Sequence, residues 1–137
     1  LIFAVLFVTR GVDRIDERRG QAVIVDYKTS DVEQDDRANE RALKSLEEDQ
    51  LGLYALAYAE TGGAAPARAE LSFVASGVIG SAEVSEAHLK AARLRIDEAG
   101  RGIRTARFPA RPDKRRCSFC PYSRFCPESA LRKPGTG

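Results

Sequence analysis

The sequence contains no methionine, no tryptophan, one histidine and three cysteines among its 137 residues. Because methionine is missing even at position 1, we expect the chain to be an N-terminally truncated fragment, the C-terminal piece of a longer protein. Three cysteines cannot form a closed disulfide framework, and nothing in the sequence indicates secretion. We therefore expect a cytoplasmic protein. The length predicts one modest domain with a single core.

Long hydrophobic runs are also missing. The chain opens on an apolar stretch at residues 1–8, which is shorter than the roughly 20 residues that cross a bilayer. The stretch also lacks the charged start and the small-residue cleavage site of a signal peptide. It predicts a buried strand, and we expect no association with a membrane.

Net charge is small, at +2, and by itself does not indicate a nucleic-acid partner. The distribution is more informative, since residues 31–49 are rich in acids and residues 101–116 are rich in arginine. We interpret the acidic run as a solvated face. The basic run either contacts phosphates or forms the solvated face of a helix, and the sequence leaves both readings open.

Periodicity predicts a mixed α/β domain over residues 1–109. Residues 110–137 are expected to be loop, a Cys-rich tail too small to hold a core of its own. The predicted elements are strands at 1–8, 10–17, 21–28 and 69–74 and helices at 37–61 and 85–105. Arg18-Arg19-Gly20 is expected to turn a hairpin, Gly62-Gly63 to end the first helix, and Gly77 and Gly80 to break the last strand.

The hairpin carries the candidate catalytic residues. In the strand at 21–28, Val23, Val25 and Tyr27 share one face, which leaves Asp26 and Lys28 side by side on the other. Asp13 and Asp26, brought together by the hairpin, have the oxygen ligands that Mg²⁺ prefers, and the Tyr27 carbonyl can add another. Lys28 could then position a water or stabilise charge on a phosphate. The alternative is that these charges are ordinary cross-strand ion pairs.

Two further residues share one face of the first predicted helix, because Gln50 and Tyr54 are four positions apart. Either they belong to a functional site, or Tyr54 is a core residue and Gln50 caps the edge of the apolar stripe. The single histidine, His88, lies in the second predicted helix and is interpreted as a surface residue, not a metal ligand.

The tail contains Cys117, Cys120 and Cys126 in the spacing Cys-x2-Cys-x5-Cys. Thiolates at this spacing favour zinc or an iron–sulfur cluster, and both usually need four protein ligands at a structural site, so one ligand is missing. The aromatic residues Phe119, Tyr122 and Phe125 alternate with the cysteines. We expect them to shield a cluster; stacking on nucleic-acid bases is the alternative.

These residues together resemble the PD-(D/E)XK nuclease superfamily, and within it the RecB-like nuclease domain of the AddB and AdnB helicase–nuclease type. The matching segments are Gly11-Val12-Asp13-Arg14-Ile15-Asp16, Asp26-Tyr27-Lys28-Thr29-Ser30, Gln50-Leu51-Gly52-Leu53-Tyr54 and the three cysteines. The resemblance implies a restriction-endonuclease-like fold, with a mixed central sheet flanked by helices and a C-terminal iron–sulfur loop.

The resemblance also implies roles. Asp13, Asp26 and the Tyr27 carbonyl would bind Mg²⁺ or Mn²⁺, Lys28 would be the catalytic lysine, and Gln50 and Tyr54 would contact DNA. The cysteines would hold a [4Fe–4S] cluster, with zinc less favoured, and the fourth cysteine and a metal-binding histidine would lie upstream of this chain.

The implied function is a Mg²⁺-dependent deoxyribonuclease, an exonuclease on single strands, acting with a helicase motor in double-strand break repair. The motor would lie upstream in the same chain or in a partner subunit. The alternatives are a non-catalytic, cluster-stapled DNA-binding or scaffold domain and a stand-alone CRISPR-associated nuclease.

Overall fold

The computed structural model describes residues 11–62 and 64–131. The chain divides into two compact units, with the boundary between Gly100 and Arg101. Each unit is described by itself below. The predicted division into a nuclease core over 1–109 and a Cys-rich tail over 110–137 stays a prediction.

The first unit contains a four-stranded sheet in the order β1-β2-β3-β4. The strands are β1 (Arg14–Arg18), β2 (Gln21–Lys28), β3 (Arg68–Phe73) and β4 (Ile79–Glu83). The β1–β2 and β3–β4 pairs are antiparallel, whereas β2 and β3 are parallel. This mixed sheet with flanking helices confirms the predicted α/β class.

The leading hairpin forms where the sequence predicts it. Arg19 and Gly20 make the turn with φ values of 55° and 74°, the pair of positive angles that a two-residue hairpin turn uses. The second arm, β2, has the bounds predicted for it. The predicted strand at 1–8 lies outside the described residues, and β1 occupies only the end of the predicted 10–17 strand.

The single helix predicted over 37–61 is in fact two helices, α1 (Asp35–Glu48) and α2 (Gln50–Gly62). The break is at Asp49, which has φ −139° and ψ −143°. After it, the Ser45 hydroxyl accepts a hydrogen bond from the Leu51 amide at 3.4 Å. Gly52 then packs so tightly that a Cβ there would lie 2.3 Å from the Leu46 carbonyl oxygen. The break makes Gln50 the first residue of α2.

The sequence analysis missed β4, because Gly77 and Gly80 both look like strand breakers. Gly77 does turn the chain, with a φ of 75°. Gly80 instead lies inside β4, where α1 crosses so closely that a Cβ would be 2.0 Å from the Ala38 carbonyl oxygen. The glycine marks a close approach of two backbones, which the sequence alone does not distinguish from a turn.

The core lies between the sheet and the two helices, and its fully buried side chains include Ile24, Leu46, Leu51 and Phe73. Ile24 belongs to the same face of β2 as Asp26 and Lys28, because side chains alternate along a strand. Val23 and Val25, on the opposite face, are buried as well. The hairpin therefore presents Asp26 and Lys28 on the face that packs against the helices.

The remaining helices are α3 (Glu86–Arg104), which confirms the helix predicted over 85–105, and α4 (Lys114–Phe119). The expectation that the tail is all loop is wrong at α4, where Asp113 caps the helix by accepting a hydrogen bond from the Arg116 amide at 2.8 Å. Among the described residues, no helix is both long and apolar enough to span a membrane.

Candidate active site

A hydrogen bond brings the Asp13 carboxylate to the backbone of the residue that follows Asp26. The β1–β2 ladder ends where Arg14 pairs with Val25, and Asp13 directly precedes Arg14. Asp13 is fixed there because its Oδ2 accepts a hydrogen bond from the Tyr27 amide at 2.9 Å. Two carboxylates are thus anchored at the open end of the hairpin.

Asp26 is a buried carboxylate, with 4% of its surface exposed. Its Oδ2 lies 2.6 Å from Lys28 Nζ, which is an ion pair. Apart from this ion pair, the oxygen has no hydrogen-bond partner within the described residues. A buried anionic oxygen without a hydrogen bond is costly, and a cation in contact with it would offset that cost.

Lys28 is held in place by α2. Its Nζ donates a hydrogen bond to Gln50 Oε1 at 2.7 Å, and Gln50 Nε2 donates to the Tyr54 hydroxyl at 3.2 Å. The four polar side chains Asp26, Lys28, Gln50 and Tyr54 therefore form one continuous chain from strand to helix. This arrangement depends on the break at Asp49, since it starts a new helix at Gln50.

The structure thus gathers the predicted site residues of the hairpin and of α2. Tyr54 is 6% exposed and belongs to the core, while its hydroxyl takes part in the polar chain. The contact of Gln50 and Tyr54 with DNA stays a prediction. Sequence reasoning missed the Lys28–Gln50 hydrogen bond, because the two residues are 22 positions apart. Only the packing of α2 on β2 could have indicated it.

The opposite face of the hairpin carries a separate ion-pair network, which we call the arginine ladder: Arg14, Asp16, Arg18 and Glu70. Asp16 binds both arginines, at 2.8 and 2.9 Å, and Arg18 reaches Glu70 at 2.8 Å. Hydrogen bonds from Arg18 and Arg14 lower the pKa of Asp16. The hydrogen bond to Asp16 raises the pKa of Arg14, and the hydrogen bonds to Glu70 and Asp16 raise the pKa of Arg18. Two of these ion pairs lie within β1, and the Arg18–Glu70 pair joins β1 to β3.

The donor set of the predicted metal site fits a hard divalent cation. It consists of two carboxylates and a backbone carbonyl, and oxygen donors of this kind suit Mg²⁺ or Mn²⁺. Asp26 Oδ2 is buried without a hydrogen bond and so has a lone pair to give. Across residues 11–62 and 64–131, no three His, Cys, Asp or Glu side chains gather as a metal site. The carbonyl of Tyr27 is therefore needed beside Asp13 and Asp26.

A comparison with protein families decides the assignment. The sequence model of the PD-(D/E)XK nuclease superfamily matches residues 7–127, which is most of the chain. The chain belongs to the PD-(D/E)XK nuclease superfamily. Searches of curated proteins and of solved structures found no match. Membership confirms the predicted superfamily and agrees with the restriction-endonuclease-like sheet, and it makes a nuclease the general activity expected of the domain.

The second unit of this PD-(D/E)XK chain contains the three cysteines, and all three thiols are free. Cys117 is buried, and its Sγ accepts a hydrogen bond from the Ala130 amide at 3.4 Å. Cys120 and Cys126 are partly exposed. The assignment of these thiols to a cluster stays a prediction. His88 lies at the start of α3, where its Nδ1 is 3.0 Å from the Ser85 hydroxyl, away from the predicted metal ligands in sequence.

Proposed function

We propose that the face formed by Asp13, Asp26 and Lys28 hydrolyses DNA phosphodiester bonds with Mg²⁺ or Mn²⁺. The observation that carries the proposal is the buried Asp26 oxygen, which lacks a hydrogen bond and lies beside a lysine that α2 holds in place. Membership of the nuclease superfamily supports the same activity.

Each residue then has a defined task. Asp13, Asp26 and the Tyr27 carbonyl hold the cation, which when bound supplies a Lewis acid and lowers the pKa of water. Lys28 offers a cationic N–H to the attacking water or to the charge that develops on the phosphate. Gln50 positions Lys28: by accepting its hydrogen bond, it fixes the direction in which the ammonium points. Gln50 and Tyr54 also contact the DNA strand in this proposal.

Mutagenesis with a cleavage assay tests this proposal. Asp26→Ala and Lys28→Ala should abolish Mg²⁺-dependent cleavage of end-labelled DNA and leave DNA binding intact. Glu70→Gln is the matched control, because Glu70 is a carboxylate as buried as Asp26 (4% exposed) but belongs to the arginine ladder. Undiminished cleavage by the Asp26 or Lys28 variant, or equal loss in the Glu70 variant, would contradict the assignment.

The substrate form is part of the proposal: a single-stranded DNA exonuclease of the helicase–nuclease type, in double-strand break repair in the cytoplasm. Its support is the Asp-x-Lys strand combined with the Gln-x-x-x-Tyr start of α2. Linear and circular single strands distinguish exonuclease from endonuclease, and matched DNA and RNA strands define the sugar preference. Cleavage of circles at the rate of linear strands would reject the exonuclease assignment.

The proposal also includes a structural [4Fe–4S] cluster on Cys117, Cys120 and Cys126 with a fourth cysteine from outside the chain. Its support is the Cys-x2-Cys-x5-Cys spacing and the three free thiols in one small unit. Anaerobic reconstitution of the complete protein, including the segment that supplies the fourth cysteine, followed by iron and zinc analysis tests it. Zinc binding without iron would replace the cluster with a zinc site, and binding of neither metal would reject both.

A further inference from the structure

The two units differ sharply in charge. Residues 1–100 contain 12 basic and 18 acidic side chains, a formal charge of −6, whereas residues 101–137 contain 10 basic and 2 acidic ones, a charge of +8. The net charge of +2 conceals this separation. A polyanion such as a nucleic acid would therefore be attracted to the second unit and repelled by the first.

The largest apolar side chains of the second unit lie on its outside. Phe119, Tyr122 and Phe125 are 82%, 73% and 85% exposed, while the small side chains of Cys117 and Ser129 are buried. This reverses the usual preference of aromatic rings for the interior. The rings therefore present most of their surface to solvent, which is not what the shielding of a metal cluster by these rings predicts.

The backbone that carries the rings is ordered by a series of turns. The amides of Cys120, Ser123 and Phe125 each bond to the carbonyl three residues before, at 3.3, 3.1 and 3.0 Å. The rings thus recur at every third residue along a hydrogen-bonded path. Exposed aromatic rings on such a path lose little conformational entropy when a flat partner stacks on them.

Cationic side chains adjoin the first of these rings. An open groove of about 580 Å³ is lined by Asp113, Arg115, Arg116, Phe119 and Cys120. Its one acidic residue, Asp113, already binds the Arg116 guanidinium at 3.0 Å and caps α4. The groove therefore combines guanidinium groups with an aromatic ring, the pairing that binds a phosphate and its base together.

We propose that Phe119, Tyr122 and Phe125, with Arg115, Arg116 and Arg124, form a binding surface for single-stranded nucleic acid. We call it the aromatic surface. Stacking on exposed rings needs bases that are not already paired in a duplex, which is why the partner is a single strand. The aromatic surface anchors the strand without taking part in hydrolysis, so the inference goes beyond the proposed catalytic function.

Fluorescence anisotropy tests the inference with a labelled oligothymidylate of about 20 nucleotides, longer than most single-strand site sizes. EDTA is present, so no cleavage occurs. The full chain with Phe119→Ala, Tyr122→Ala and Phe125→Ala should bind at least about tenfold more weakly, since each stacked base contributes substantially. The control combines Val74→Ala and Leu94→Ala, which remove exposed apolar side chains from the acidic unit (56% and 58% exposed).

Salt dependence tests the cationic part separately. Arg115→Gln with Arg124→Gln should lower the slope of log affinity against log salt by about 1.4, since each lost phosphate contact on a single strand removes about 0.7. Lys90→Gln, a substitution on the exposed part of α3, should leave the slope unchanged. A slope that does not change in the double arginine variant would contradict the proposed phosphate contacts.

A direct spectroscopic readout does not depend on comparing affinities of variants. The chain has no tryptophan and four tyrosines, so stacking of a base on Tyr122 quenches tyrosine emission. Quenching by oligothymidylate should be smaller in Tyr122→Phe, although that variant binds as tightly as the parent protein because its ring still stacks. If oligothymidylate quenches the tyrosine emission of Tyr122→Phe as much as that of the parent protein, the strand stacks on a residue other than Tyr122.

Two outcomes would overturn the inference. One is unchanged oligothymidylate binding in the triple aromatic variant, and the other is tighter binding to a duplex of the same length. Loss of binding to phosphatidylserine vesicles in the triple variant, with oligothymidylate binding intact, would reassign the surface to lipid. The catalytic proposal is tested by cleavage with the Asp26 and Lys28 variants, and this inference by binding in EDTA with the triple aromatic variant, so failure of one is distinguishable from failure of the other.

Discussion

Two buried carboxylates show how differently the sheet treats the same chemistry. Glu70 and Asp26 are each 4% exposed. Glu70 accepts two hydrogen bonds from Arg18, at 2.8 and 3.0 Å, so both of its oxygens are paired. Asp26 has one oxygen without a hydrogen bond beside Lys28. The fold therefore pairs both oxygens of Glu70 by hydrogen bonds, whereas one oxygen of Asp26 has only its ion pair with Lys28, at the position proposed to bind a metal ion.

The Asp26–Lys28 pair gives the first prediction. Lys28→Met leaves the buried Asp26 charge uncompensated and should lower the free energy of unfolding by about 1–3 kcal/mol. This loss is smaller than that expected for breaking a fully buried ion pair, because the lysine is partly exposed. Adding Asp26→Asn removes the orphan charge and should recover at least half of that loss. Urea unfolding of both single variants and the double variant measures this. Simple additivity of the two substitutions would contradict it.

Gln50 gives the second prediction. Gln50→Leu keeps the helix and the side-chain volume but removes the acceptor that holds Lys28, so kcat should fall by about 10- to 100-fold while stability changes little. Tyr54→Phe is the control, because it removes a hydroxyl that touches Gln50 but not Lys28. A loss of activity in Tyr54→Phe as large as that in Gln50→Leu would show that the helix as a whole, and not the lysine contact, is responsible.

Among the strands, the arginine ladder joins β1 to β3 across the central β2. Arg14 and Arg18 lower the pKa of Asp16, and Arg18 then reaches Glu70 on β3. Arg14 also lies over the Tyr27 ring, with 5.7 Å between the guanidinium carbon and the ring centroid. Within the described residues, β1 pairs with β2 alone through its backbone, and the Arg18–Glu70 ion pair adds a side-chain link to β3.

The ladder gives a pH prediction. Because the pKa of Asp16 in the folded protein is below its usual value of 3.8, its ion pairs stabilise the fold above that pH and are lost as the pH falls through the lower, folded pKa. Asp16→Asn should therefore be less stable than the parent near neutral pH, and the difference should shrink below 3.8. Chemical unfolding across this range measures it. A difference that grew on acidification would contradict the sign.

Among the helices, the position of α1 depends on a single close approach. Gly80→Ala would place a Cβ 2.0 Å from the Ala38 carbonyl oxygen. The helix must then move away from β4, and the free energy of unfolding should fall by about 1–3 kcal/mol. Gly11→Ala is the control, because no atom of the described residues lies within 4 Å of a Cβ there, and it should change stability by less than about 0.5 kcal/mol. Thermal unfolding of both variants tests this, and equal effects would contradict it.

In the molecule as a whole, local patterns and long-range packing contributed differently to what could be predicted. The hairpin, its turn and the shared face of Asp26 and Lys28 follow from alternation and from Gly20, which are local, and the motifs they form indicate the superfamily. The strand β4 and the break at Asp49 do not, because both depend on backbones that meet across the fold. The same is true of the Lys28–Gln50 hydrogen bond.

The separation of charge is also a property of the whole chain. A net charge of +2 gave no indication of a nucleic-acid partner, and the basic run at residues 101–116 left phosphate contact and a solvated helix face equally open. The structure adds the exposure of the aromatic rings in the same unit, which sequence reasoning assigned to a different purpose. Exposure is set by how the tail folds on itself, and composition does not encode it.

The most direct test of the catalytic site is a Mn²⁺ titration followed by electron paramagnetic resonance, in the full chain without DNA. Asp13, Asp26 and the Tyr27 carbonyl should bind Mn²⁺, and Asp13→Asn and Asp26→Asn should each weaken that binding by at least about tenfold. Glu70→Gln, the equally buried control, should bind as the parent does. Mn²⁺ binding that is unchanged in both aspartate variants would contradict the central claim that this hairpin is the metal site of the nuclease.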